Sequence, residues 1–134
     1  MMRSTAIAVL LTASALAGPR AYGASSTCQE SYLSGEAPNF AKLAAVGPTR
    51  ELCFREFAIL HSGTSRTPLW SGEHLTAAQV QDAEAMSRTD RFHAERKLPK
   101  TERSELSDYR RSGFDRGHMA PSGDMPSAAS QRES

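Results

Sequence analysis

No apolar run in this 134-residue chain is long enough to hold it in a bilayer. The longest, Ala6 to Ala17, falls short of the roughly 20 residues that a helix needs to cross the hydrocarbon core, which makes a retained membrane anchor there the weaker reading. Neither sign of charge dominates: 16 Lys and Arg stand against 15 Asp and Glu, so global electrostatics do not mark the chain as a nucleic-acid binder. No repeat or low-complexity tract is present, which leaves one ordinary domain. Cysteine is scarce, with Cys28 and Cys53 alone, so at most one disulfide can form. His61, His74 and His93 have no short mutual spacing of the kind that binds zinc.

The first residues have the layout of an export signal. Arg3 supplies positive charge, the apolar run follows, and Ala15-Leu16-Ala17 and Ala21-Tyr22-Gly23 offer small residues for processing. Residues 1–23 therefore read as a signal peptide and 24–134 as the mature domain, with no membrane attachment after removal and a secreted or periplasmic destination. In an oxidising compartment Cys28 and Cys53 are expected to pair. On the chain-entropy model, closing a loop of that length contributes about 3 kcal/mol.

Ser25 to Pro48, broken by Gly35, Pro38, Gly47 and Pro48, reads as an irregular lead-in tied down by Cys28. The run from Leu52 to Leu60 is rich in aromatic and branched residues and is stopped by Gly63, which favours a strand buried on both faces, while its periodicity alone also fits a helix. A turn at Ser62 to Ser65 and the segment Pro68-Leu69-Trp70 then suggest a hairpin. Thr76 and Gln79 have capping-box spacing ahead of an Ala-rich stretch, which predicts a helix of about three turns to Met86. The tail from Ser122 to Ser134 carries no strong element signal. Arg88 to Arg116 contains nine Lys and Arg against six Asp and Glu, a weak local excess that suits either a solvated surface or a phosphate-binding face.

Chemistry concentrates in Asp115-Arg116-Gly117-His118, where a carboxylate, a guanidinium and an imidazole lie within four residues. A neutral imidazole can take a proton from water, the guanidinium can grip a phosphate bidentately, and the carboxylate can hold either in place. On an extended segment Arg116 and His118 would share one face. An exposed polar strand end with a surface ion pair has the same spacing, so the tetrapeptide alone leaves both readings open.

The longer string from Ser112 to Met125, through Phe114-Asp115-Arg116-Gly117-His118-Met119-Ala120-Pro121, closely resembles the DRGH signature of the DNA/RNA non-specific endonuclease family, which includes Serratia-type secreted nucleases and mitochondrial endonuclease G. The resemblance extends upstream through Cys53 to Leu60, Pro68 to Trp70, His74 to Thr76, Arg88 to Phe92 and Leu98-Pro99, covering about Thr49 to the C-terminus. It implies an α+β fold of the ββα-metal (His-Me finger) class and hydrolysis of DNA and RNA phosphodiester bonds. His118 would be the general base, Arg116 the phosphate contact and Asp115 the residue that orients the site. Arg88 would be a further phosphate-side arginine, with Arg91 the alternative. A single Mg²⁺ would stabilise the phosphate and the departing 3′ oxygen.

Members of that family continue with a second strand and a helix carrying the Asn that ligates the metal. The one Asn here, Asn39, lies upstream of the match. No metal ligand is assigned, and Asp124 reads as a turn residue. The resemblance thus implies the N-terminal part of such a nuclease domain, incomplete in its metal-binding elements and inactive or impaired alone. The competing reading is a non-catalytic secreted module that binds nucleic acid or a partner through Arg88 to Arg116. Trp70 suits either base stacking or a packed rim position.

Overall fold

The computed structural model describes residues 27–38 and 47–134, so the expected signal segment and Asn39 lie outside the described residues. The framework is a three-stranded antiparallel meander of β1 (Thr49–Cys53), β2 (Phe57–Ser62) and β3 (Thr67–Glu73), with β2 in the middle. The run expected to form one strand is split. Arg55 and Glu56 separate Leu52-Cys53-Phe54 from Phe57-Ala58-Ile59-Leu60, and the Phe54 N–H donates to the Phe57 carbonyl at 2.9 Å, which turns the chain back on itself. β1 and β2 then pair from Thr49 with Ser62 to Cys53 with Ala58.

The central strand explains its composition. Every β2 residue but Leu60 is buried, and the alternation of a strand sends neighbours to opposite faces. Phe57 and Ile59 pack with Ala120 and Met125, supported by Leu52, Phe54 and Met119. Ala58 joins Cys28 and Tyr32 against Cys53, Trp70 and Ala37 in a second, smaller core. Cys28 and Cys53 form the expected disulfide there, with Cα atoms 5.3 Å apart. The Trp70 ring meets Tyr32 edge-on at 5.5 Å, which favours the packed reading over base stacking. Gly72 permits that arrangement, because a Cβ there would sit 3.2 Å from the Tyr32 ring.

A bulge between Leu60 and His61 skips Leu69, so that His61 faces Pro68. Proline has no N–H for a ladder and is tolerated on this outer strand. The helix α1 (Ala77–Glu84) starts with the expected capping box: the Thr76 hydroxyl accepts from the Gln79 N–H and the Gln79 side chain accepts from the Thr76 N–H at 2.8 Å. It is about two turns long instead of three, because only Ala83 is buried and little packing rewards extension.

The tail departs further from expectation. A 3-10 turn at Ser122–Asp124 leads into a second helix, α2 (Ala128–Glu133), started by a capping box between Ser127 and Ser130. Ser130 and Gln131 are buried in it. Glu133 accepts from the Arg55 N–H and pairs with its guanidinium at 3.3 Å, tying α2 to the β1–β2 turn. The described residues thus form a small α+β arrangement of a three-stranded antiparallel sheet with helices, and none of their helices is long and apolar enough to cross a membrane.

Candidate active site

The Asp115 to His118 block follows a left-handed turn. Arg111 and Gly113 have φ of 58° and 85°, and glycine is the residue that takes the second of these without steric cost. The Ser112 hydroxyl then accepts from the Phe114 N–H at 3.1 Å, which sets the direction of the chain into the block. No strand forms here: residues 114–118 run as irregular chain, since no neighbouring strand offers them a ladder.

Arg116 and His118 nevertheless meet, through an aromatic ring instead of strand alternation. The His118 ring lies 4.6 Å from that of Phe92, tilted by 47°. The Arg116 guanidinium sits 5.0 Å over the same Phe92 ring, a cation–π contact. Phe92 is thus the shared platform of both groups. Its signal in the sequence was faint: one aromatic between Arg91 and His93 in an otherwise charged stretch.

These residues line a cavity of about 460 Å³ that also receives Arg91, Asp115 and Phe114. Arg88 is exposed and outside its lining, so of the two candidate arginines only Arg91 lines the cavity that His118 lines. Asp115 lines the cavity but has no hydrogen bond or ion pair to Arg116 or His118 among the described residues. A Cβ at Gly117 would meet nothing within 4 Å, so the backbone between Arg116 and His118 stays open to approach.

The wall opposite is built from the sheet and from α2. His61 is buried, and its Nε2 lies 2.7 Å from the Glu102 carbonyl, which makes that nitrogen the donor. Among the described residues its Nδ1 has no partner, and neither has the Oε1 of buried Gln131; both residues line the cavity. In the sequence His61 was weighed only as a zinc ligand and Gln131 not at all, because a buried polar position is set by long-range packing. Glu102 is held from β1: Arg50 donates to its two carboxylate oxygens at 2.6 and 2.9 Å. That bond first, and the Arg50 charge with it, keeps the Glu102 carboxyl below the ordinary carboxylate range.

The donor set for a resident cation does not come together. Among the described residues no three His, Cys, Asp or Glu side chains converge as a metal site, and His118 is covered on one side by Phe92. Asp124 sits in its 3-10 turn outside the cavity, as its loop chemistry predicted, and its charge is felt by Glu73. Among the described residues no such cluster marks a site for a Mg²⁺ ion.

A family model described as DNA/RNA non-specific endonuclease matches residues 36–134. The chain is 41% identical over 80 residues to nuclease C1 of Cunninghamella echinulata var. echinulata, covering 58% of this chain and 32% of that protein. It is 35% identical over 86 residues to the mitochondrial nuclease of Saccharomyces cerevisiae, covering 63% and 26%. With mitochondrial endonuclease G of Caenorhabditis elegans it shares 35% identity over 78 residues, covering 58% and 25%. The chain therefore spans a third or less of the length of these curated relatives. No solved structure matches.

Several relatives bear mitochondrial names, and this corrects the expectation of a secreted or periplasmic protein. The physical source of the error is that a basic, acid-free N-terminus with Ser and Arg is common to export signals and mitochondrial targeting segments.

Proposed function

The chain belongs to the DNA/RNA non-specific endonuclease family, and on that premise we propose that its cavity is a phosphodiester-hydrolysing site for DNA and RNA, on a fold of the ββα-metal class. Residues 24–134 would be the nuclease portion and 1–23 a targeting segment. His118 takes the proton from the attacking water, which needs a lone pair on an accessible ring nitrogen. Arg116 grips a non-bridging phosphate oxygen and Arg91 supplies a second positive charge. Asp115 is placed to pair with either partner once a phosphate is bound. Backbone contacts of this kind read no base sequence, which suits action on both nucleic acids.

The observation that carries this reading is the juxtaposition of His118 and Arg116 on one ring, Phe92, beside an open backbone at Gly117. A base and a phosphate grip are thereby held within reach of one reacting group. A divalent cation would supply charge neutralisation at the phosphate. The described residues do not assemble its ligands, so no step is assigned through it.

Digestion of plasmid DNA and of structured RNA in Mg²⁺ tests the proposal, comparing this chain, a C-terminally extended chain that carries the family's metal-binding elements, and the extended chain with His118→Ala. The variant is expected to lose cleavage by about a hundredfold or more while keeping its fold by circular dichroism. Cleavage that survives His118→Ala would reject the assigned base. Salt-sensitive binding by the unaltered chain without any cleavage would instead favour the binding-module reading.

A further inference from the structure

Phe114 is 77% exposed, although an aromatic ring of that size has much to gain from burial. It has no ring contact with another aromatic among the described residues. Its position is nevertheless well defined. The Ser112 hydroxyl accepts from its N–H at 3.1 Å and lies 3.4 Å from its carbonyl, and the left-handed Gly113 precedes it. Phe114 lines the same cavity as Arg116 and His118. Only Asp115 lies between Phe114 and Arg116, so their Cα atoms are at most about 7 Å apart.

We propose that Phe114 is a stacking platform for a nucleobase of the strand whose phosphate lies at Arg116. The inference rests on the reading of the cavity as a nucleic-acid site and adds to it a base-binding residue. Three features support this assignment over a chance exposed ring. The Phe92 face is already taken by the Arg116 guanidinium and approached by the His118 ring, so the unfilled aromatic surface of the cavity includes Phe114. The cationic partners for a phosphate, Arg91 and Arg116, line the same space, giving the alternation of positive charge and ring that single-strand grooves use. Stacking accepts any base, because each has a π face, and is therefore compatible with a site that does not read sequence.

Binding isotherms test this with two single-stranded octamers of equal charge, one carrying bases and one fully abasic, in EDTA to prevent cleavage. The unaltered chain is expected to bind the base-bearing strand about tenfold more tightly, the scale of one stacked base. Phe114→Ala should retain affinity for the abasic strand and lose most of the tenfold preference. Phe114→Trp should restore the preference, and its added indole emission should be quenched by the base-bearing strand only. Because the ring is exposed, neither substitution removes core packing, and a matching thermal midpoint checks this. Equal binding of both strands by the unaltered chain, or an undiminished preference in Phe114→Ala, overturns the assignment while leaving the nuclease reading intact. Failure of both strands to bind overturns both readings.

Discussion

Glu73 closes β3 with its carboxyl raised above the usual range, first because burial disfavours the charged form and second because Asp124 lies nearby. A raised folded value means that the protonated form is the one folding favours. Its contribution is full below the ordinary value of 4.5 and is lost as pH rises through the folded value. Glu73→Gln should therefore raise the thermal midpoint at neutral pH, by no more than a few degrees because the group is partly screened by solvent, and should make no difference near pH 4 and below. A scan of midpoint against pH for both proteins checks this. At this scale the reach of the sequence was uneven. Asp115, Arg116 and His118 were legible as a group because they are neighbours in the chain. Phe92, which joins the last two, was not, since it stands 26 positions before His118 and meets it only in space. The resemblance favoured Arg88 with Arg91 as the alternative, and the structure places Arg91, not Arg88, in the lining of the cavity.

The two helices make the same contrast among elements. α1 was readable because Thr76 and Gln79 form a local device whose partners are three residues apart. α2 uses a Ser127 to Ser130 version of that device, hidden in a tail of small polar residues whose composition reads as loop. Its persistence depends on burial of Ser130 and Gln131 and on the Arg55 to Glu133 tie. Ser127→Ala should cost about 1 kcal/mol, measurable as a lower urea midpoint with an unchanged slope. An unchanged midpoint would show that tertiary contacts hold α2 without its cap. The strands follow the opposite logic: their burial was legible from the apolar run, but the break at Arg55 and Glu56 was not, because turn closure by Phe54 and Phe57 is a backbone event.

For the whole molecule, stability is divided between two small cores on the faces of one sheet, and the disulfide belongs to the smaller of them. Replacing both cysteines, Cys28→Ser with Cys53→Ser, should lower unfolding free energy by about 3 kcal/mol, read from chemical denaturation with and without reductant. An unchanged value would mean that the Tyr32 and Trp70 packing alone holds the N-terminal segment to the sheet. What the sequence determined unaided is whatever is encoded by neighbours or by uniqueness: the DRGH block and the family it signals, the pairing of the two cysteines, the first capping box and the apolar central strand. The tertiary structure alone decided which residues meet across long separations. It put His118 and Arg116 on Phe92, left Phe114 bare beside them, and closed the cavity with His61 and Gln131. The reason is physical: local pattern reports hydrogen bonding and amphipathicity within a few residues, whereas a site is made where the packing of distant segments leaves space.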